Sequence, residues 1–189
     1  MRHKYETRGF VLARMAAGEA NTRLALLTHD LGLGWARAQG LRRTGGKLAS
    51  SLVTFAEADI VLVRGKDGWR VTGAVLVENW FVRLTDPDAR RSAARVAGLA
   101  LRLSPNETPD TNLLPVMRDF FCALSLVLPS EREGAELVAA SYVLASLGLN
   151  EDEGTAGSIS FAPENLLRVL GNRDQYVARI NRGIAASGL

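Results

Sequence analysis

Residues 52–79 read LVTFAEADIVLVRGKDGWRVTGAVLVEN. Two runs rich in Val, Leu, Ile, Phe and Trp, residues 52–64 and 69–79, flank the tripeptide Lys66-Asp67-Gly68. Asp-Gly is a strong hairpin signal, because glycine supplies the left-handed backbone a tight turn between two strands requires. The stretch therefore predicts two long antiparallel strands, with Phe55, Ala58 and Ile60 as core candidates in the first. Gly73, inside the second, marks a bend or bulge where a sheet curves.

Upstream the same pattern continues. Residues 5–14 (YETRGFVLAR) and 22–28 (TRLALLT) are β-rich runs, separated by the small and flexible AAGEAN. The glycine-punctuated HDLGLG, residues 29–34, suits a short hairpin connection, and WARAQ, residues 35–39, alternates large and small as a third strand. Five strands within about 80 residues, joined by tight turns, fit a small closed barrel of the OB-fold type better than an open sheet. Closure removes the edge strands that would otherwise invite aggregation.

Downstream the period changes. Residues 88–103 repeat apolar positions at helical spacing, with Asp86 or Asp88 as cap and Pro87 close to the first turn. Residues 110–128 (DTNLLPVMRDFFCALSLVL) read as a central helix with Pro115 in its first turn or at its true start. Residues 130–147 follow, with Ser130 and Glu133 in capping-box spacing and Gly148 as terminator. Residues 162–170 and 174–186 complete the set as two short helices, Pro163 being preset for a first helical position. The expected architecture is thus α+β: an OB-fold barrel over residues 1–84 and an all-helical domain over 85–189, with the boundary in RLTDPD, residues 83–88.

The composition, 47% hydrophobic and 23% charged, supplies a real core and argues against disorder. Charge is uneven. Residues 1–85 hold thirteen Lys+Arg against seven Asp+Glu, a net +6, and residues 86–189 hold ten against thirteen, a net −3. The first half is therefore suited to an anionic partner. A single cysteine, Cys122 in FFCALSLVL, cannot form a disulfide within the chain and reads as a small buried hydrophobe; a zinc site would need several Cys or His ligands. MRHKYETRG has no apolar signal core, and no stretch approaches the roughly 18 uninterrupted apolar residues of a membrane span, so a cytoplasmic location is expected.

Chemistry for catalysis is sparse. His3 lies in a basic terminal stretch and His29 in a glycine-rich turn beside Asp30. No G-x-S-x-G, H-E-x-x-H or calcium-loop pattern occurs, and the carboxylates Glu151, Asp152 and Glu153 sit in a polar loop. LRRTGGKL, residues 41–48, approaches a Walker A loop and fails it: Leu41 stands where the first glycine belongs and Leu48 where the hydroxyl belongs. No enzyme, cofactor or metal is expected. The loop is then either a basic turn or a contact for a longer polyanion. Arg37, Arg42, Arg43 and Lys47, with glycines at 40, 45 and 46, could let the backbone approach phosphates while the cations displace counterions. Arg14 and Arg23 extend this patch, and Trp35 is either a barrel-core aromatic or a stacking platform for bases.

The run GFVLARMAAGEANTRLALLTHDLGLGWARAQGLRR, residues 9–43, resembles the opening of the RecO family of recombination mediators. Val11-Leu12, Gly18-Glu19, the leucine strand ending at Thr28, Gly32, and Gly40-Leu41-Arg42-Arg43 followed by Lys47 carry the likeness. Residues 48–65 resemble that family's next strand, with Thr54-Phe55 in place of its Pro-Phe, and residues 99–149 resemble its helical domain more distantly. Two departures stand out: Gln39 replaces the family's usual lysine, and a lone Cys122 cannot build the cysteine zinc module many members carry. The resemblance implies an N-terminal OB-fold and a helical second domain. It further implies binding of single- and double-stranded DNA, annealing of complementary strands, cooperation with RecR in loading RecA onto strands coated by single-strand binding protein, and a nucleoid-associated cytoplasmic location. The alternative from the residues is a protein-interaction adaptor whose barrel is a docking module with little DNA affinity.

Overall fold

The structure is a computed structural model that describes residues 4–18, 21–41, 47–105, 107–110, 112–149 and 160–188. It divides into two compact units, one formed by residues 1–83 with 105–114, the other by residues 84–104 with 115–189.

The first unit is a five-stranded barrel. Its strands are β1 (Lys4–Ala17), β2 (Asn21–Thr28), β3 (Gly32–Gln39), β4 (Ala56–Gly65) and β5 (Gly68–Asn79), with the short helix α1 (Lys47–Ser51) between β3 and β4. The order around the closed barrel is β1-β2-β3-β5-β4, so the N-terminal half is the expected OB-fold. β1 makes closure possible by being long enough to serve two neighbours. Residues 4–10 pair with β4 and residues 9–17 with β2. A bulge at Leu12, where the register against β2 shifts, bends the strand from one partner to the next. β3 and β5 run parallel and pair over residues 36–38 and 69–71.

The expected bend at Gly73 is present as a bulge: Val61 faces Gly73, Leu62 faces Val71, and Thr72 is the extra residue. Inward positions alternate along the strands, and residues 9–12 of β1 and 24–28 of β2 are buried on both faces. Leu24, Leu26, Ala36, Ile60, Leu62 and Val71 are among the side chains that meet in its core.

One expected element is different. The run 52–64 is not a single strand. Leu52 is buried directly after α1, Phe55 turns the chain with φ 65°, and β4 begins at Ala56. Ala58 and Ile60 are core residues of β4, whereas Phe55 is buried from the turn.

Residues 107–109 run along the part of β3 that β5 leaves unpaired. Glu107 donates its N–H to the Leu33 carbonyl at 2.6 Å. Gly32 (φ 66°) permits this approach, since a Cβ there would lie 1.9 Å from the Thr108 carbonyl oxygen.

The second unit is helical. After the single-turn α2 (Trp80–Arg83), which ends the first stretch of the barrel unit, come α3 (Pro87–Leu103), α4 (Leu113–Leu124), α5 (Arg132–Ser146), α6 (Pro163–Gly171) and α7 (Arg173–Ala186). Asp86 caps α3 by accepting the Asp88 N–H, with Pro87 in the first helical position. Small residues at helical spacing, Ala89, Ala93, Ala97 and Ala100, form its buried stripe and let α3 pack against α5. Pro115 falls in the first turn of α4, whose start is set by Asp110 accepting the N–H groups of Asn112 and Leu113.

The capping box expected at Ser130 does not form. α5 starts two residues later, its N-cap is Glu131, and the Glu131 carboxylate takes the Leu128 N–H instead. The expected end at Gly148 (φ 69°) does form, with Gly148 donating to the Ala145 carbonyl and Leu149 to that of Leu144. No helix of the described residues is long and apolar enough to cross a membrane.

Candidate nucleic-acid interface

Alternation along three strands decides which side chains leave the barrel. In β2, Leu24 and Leu26 point into the core, so Arg23 points out. In β3, Ala36 and Ala38 point in and Trp35 and Arg37 point out; in β5, Trp69 and Val71 point in and Arg70 points out. The registers then align these outward positions. Arg23 stands directly opposite Arg37 in the antiparallel pair, and Arg37 stands beside Arg70 in the parallel pair. Three exposed arginines form a row across β2, β3 and β5. With neighbouring strands about 4.8 Å apart, the row spans roughly 10 Å.

Like charges placed directly opposite each other in a sheet are destabilising. Among the described residues, none of the three is in an ion pair. The same barrel shows what compensation looks like: Arg8 on β1 stands directly opposite Asp59 on β4 and binds it twice, Nε to Oδ1 at 2.9 Å and Nη2 to Oδ2 at 3.2 Å. The hydrogen bond and charge of each partner hold the Arg8 guanidinium above, and the Asp59 carboxyl below, their usual ranges. In the helical unit, the cleft beside α3 and α5 is lined by Arg91, Arg95 and Arg132, and each has a carboxylate partner: Asp88, Glu136 and Asp86. Among the described residues the barrel row has no such partners.

Trp35 lies next to this row. It is half-buried on the outward side of β3, opposite Ala25, and the Arg23 guanidinium sits over its ring at 4.5 Å from the centroid. The contact fixes the orientation of both groups and places a π-face beside the cations.

The other sequence candidates fall elsewhere. Arg14 pairs with Leu24, so it lies on the face opposite Arg23, half-buried, and the structure does not bring it to the row. Arg42 and Arg43 lie outside the described residues; Lys47 is the first residue of α1, and its side chain is also outside the description. Arg70 was not among the sequence candidates. Its outward direction is readable from WRV, but its place beside Arg37 depends on a parallel pairing of distant strands that no local pattern reveals.

The catalytic and metal candidates occupy ordinary positions. His29 Nδ1 lies 3.0 Å from Asp30 Oδ1 in an exposed turn, and Thr7 donates to Asp30 Oδ2 at 2.7 Å. These two hydrogen bonds, that of His29 first, hold the Asp30 carboxyl below its usual range and tie the β2–β3 turn to β1. No group of three or more His, Cys, Asp or Glu able to hold a metal occurs among the described residues, and Glu151, Asp152 and Glu153 lie outside them. Cys122 is half-buried on α4.

Residues 1–80 match the family model described as the N-terminal domain of recombination protein O. Curated proteins named DNA repair protein RecO are similar over more of the chain. One from Dehalococcoides mccartyi is 30% identical over 115 residues, 61% of this chain and 46% of its own length. One from Rubrobacter xylanophilus is 31% identical over 140 residues, 74% of this chain and 54% of its own length. A third, from Heliobacterium modesticaldum, is 31% identical over 113 residues, 60% of this chain and 41% of its own. The chain spans about half the length of the curated relatives it matches. These matches support homology to RecO proteins.

Proposed function

We propose that this chain is a RecO-type recombination mediator whose barrel binds DNA along the Arg23–Arg37–Arg70 row. The observation that carries the proposal is that row: three exposed arginines aligned across β2, β3 and β5 without carboxylate partners among the described residues, next to Trp35, on a barrel that matches the RecO N-terminal model. Guanidinium groups suit phosphate because their donors form a planar fork. An aromatic beside a cationic track suits single strands, since every base has a face that stacks. Arg42, Arg43 and Lys47, which follow β3 in the sequence, would extend the track, and Arg14, on the opposite face, would take no part in it. In the cell such a protein would anneal complementary strands and, with RecR, help load RecA onto DNA coated by single-strand binding protein, without hydrolysing a nucleotide.

The test is fluorescence anisotropy of a labelled single-stranded oligonucleotide at several salt concentrations. Each phosphate contact on a single strand contributes about −0.7 to the slope of log K against log salt. Replacing Arg23, Arg37 and Arg70 with alanine should flatten the slope by about 2 and weaken binding. An unchanged slope would remove the row from the site.

A second reading, an adaptor with a docking barrel, has one observation in its favour. Val75, Val77, Phe81 and Val82, at the end of β5 and in α2, are exposed apolar side chains close in sequence. The adaptor would bind RecR or single-strand binding protein while showing no DNA affinity at moderate salt.

A further inference from the structure

We infer that Arg64 is an additional phosphate contact and that Glu107 occupies it from within the chain, as a built-in competitor for the strand. The inference rests on the proposed DNA reading and concerns how that site is regulated.

Arg64, near the end of β4, stacks on Trp69 with its guanidinium 4.9 Å from the ring centroid, and Tyr5 meets the same ring edge-on at 5.1 Å. The arginine is thereby aimed, yet its side chain is 53% exposed. Its Nη1 donates to Glu107 Oε2 at 2.5 Å. Glu107, on the 107–109 segment, is itself pinned to the open edge of β3 by its N–H bond to the Leu33 carbonyl.

The carboxylate's surroundings connect it to the candidate interface. A narrow crevice is lined by Gly34, Trp35, Trp69 and Glu107, so the acid shares it with the tryptophan that Arg23 covers and with the tryptophan under Arg64; Trp69 faces the inward side of the barrel, whereas the arginine row faces out. Gly34 adjoins the acid: a Cβ there would lie 3.9 Å from Glu107 Cγ, an ordinary van der Waals contact. An exposed ion pair of this kind contributes little to stability, and Glu107 holds a left-handed φ of 57° that a non-glycine residue adopts at a cost. A strained acid on an aimed cation, sharing a crevice with the tryptophan that Arg23 covers, fits a phosphate stand-in better than a structural brace. A bound strand that reached Arg64 would exchange its phosphate for the carboxylate and release the segment's side chain.

The test uses the full chain and a 5′-labelled oligothymidylate. Glu107→Gln keeps the segment's shape and frees Arg64. It should tighten binding about fivefold and steepen the salt slope by about 0.7. Adding Arg64→Ala to that variant should return both to the wild-type values. Glu78→Gln, which removes the same charge from another exposed pair on the barrel (with Arg83), should change neither, so a gain there equal to that of Glu107→Gln would overturn the inference. So would a Glu107→Gln variant that binds with wild-type affinity and slope or more weakly. If Glu107→Gln melts well below the wild type, Glu107→Asp, which shortens the reach to Arg64 and keeps the charge, gives the second reading: tighter binding supports the competitor and unchanged binding rejects it. Failure here is separable from failure of the parent reading. Loss of binding on replacing Arg23, Arg37 and Arg70 together, with no effect at Glu107, would sink the competitor alone. Absence of DNA binding in both the wild type and Glu107→Gln would sink both.

Discussion

Two single residues set conditions that no neighbour can replace. Gly32 has φ 66°, and a methyl group added there would lie 1.9 Å from the Thr108 carbonyl oxygen. Gly32→Ala therefore meets backbone strain and a steric clash together. We expect it to lower stability by more than about 1 kcal/mol, the usual scale for alanine at a left-handed position, as chemical denaturation would show. Trp35 is the counterpart at the proposed interface. Its ring is held by Arg23 from one face and carries little of the core, so truncation should affect binding more than folding. Trp35→Ala should cost about 1–3 kcal/mol of single-strand affinity, the range for loss of one stacked base, while Trp35→Phe keeps a π-face and most of that affinity. A melting temperature that collapses in Trp35→Ala, with unchanged affinity in the folded fraction, would assign the ring to the core instead.

At the scale of elements, helix packing sets close tolerances. Gly134, near the start of α5, lies against α6: a Cβ there would come 2.9 Å from the Leu166 carbonyl oxygen and 3.2 Å from Leu170 Cγ. Gly134→Ala gains helix propensity, worth about 1 kcal/mol on an exposed surface, but must push α6 aside. We expect net destabilisation; a stabilised variant in thermal melts would mean that the two helices separate easily. Removing the α3 cap by Asp86→Ala should lower the melting temperature by roughly 2–4 °C, since the Asp88 N–H then loses its acceptor. Much of this was legible in the sequence. The hairpin around Asp67-Gly68, the bend at Gly73, the cap before Pro87 and the glycine stop at Gly148 are local chemistry, and local chemistry can be read from neighbours. What could not be read was decided at a distance. An apolar run such as residues 52–55 suits a strand or a buried turn equally well, and the barrel core took Leu52 from just behind α1. Ser130 had the right spacing for a capping box and lost it because Glu131 bonded backward to Leu128. The arginine row was half legible: each outward direction followed from alternation, but the alignment of Arg37 with Arg70 required knowing that β3 and β5 run parallel.

For the whole molecule, charge would govern both acid stability and the proposed binding. Asp30, Asp59 and Asp86 are all held below the usual carboxylate range, by His29 and Thr7, by Arg8, and by the Asp88 N–H with Arg132. A carboxyl whose folded value is depressed contributes stability that is complete above its unfolded value, about 3.9, and disappears as pH falls through the folded value. Acid unfolding followed by circular dichroism should therefore show loss of these contributions only below about pH 4–5; a steep loss between pH 6 and 8 would contradict it. Binding adds the last expectation. The net +6 of residues 1–85 can reach DNA by the arginine row alone or by the row together with Arg42, Arg43 and Lys47. At about −0.7 per phosphate on single strands, the row alone gives a salt slope near −2 and the two together near −4. We expect the steeper value, falling to about −2 when Arg23, Arg37 and Arg70 are replaced and again to about −2 when Arg42, Arg43 and Lys47 are replaced. A wild-type slope near −2 that vanishes only with the row would confine DNA to β2, β3 and β5 and leave LRRTGGKL a basic turn; one that vanishes only with the loop would move the interface to LRRTGGKL and leave the aligned arginines without a role.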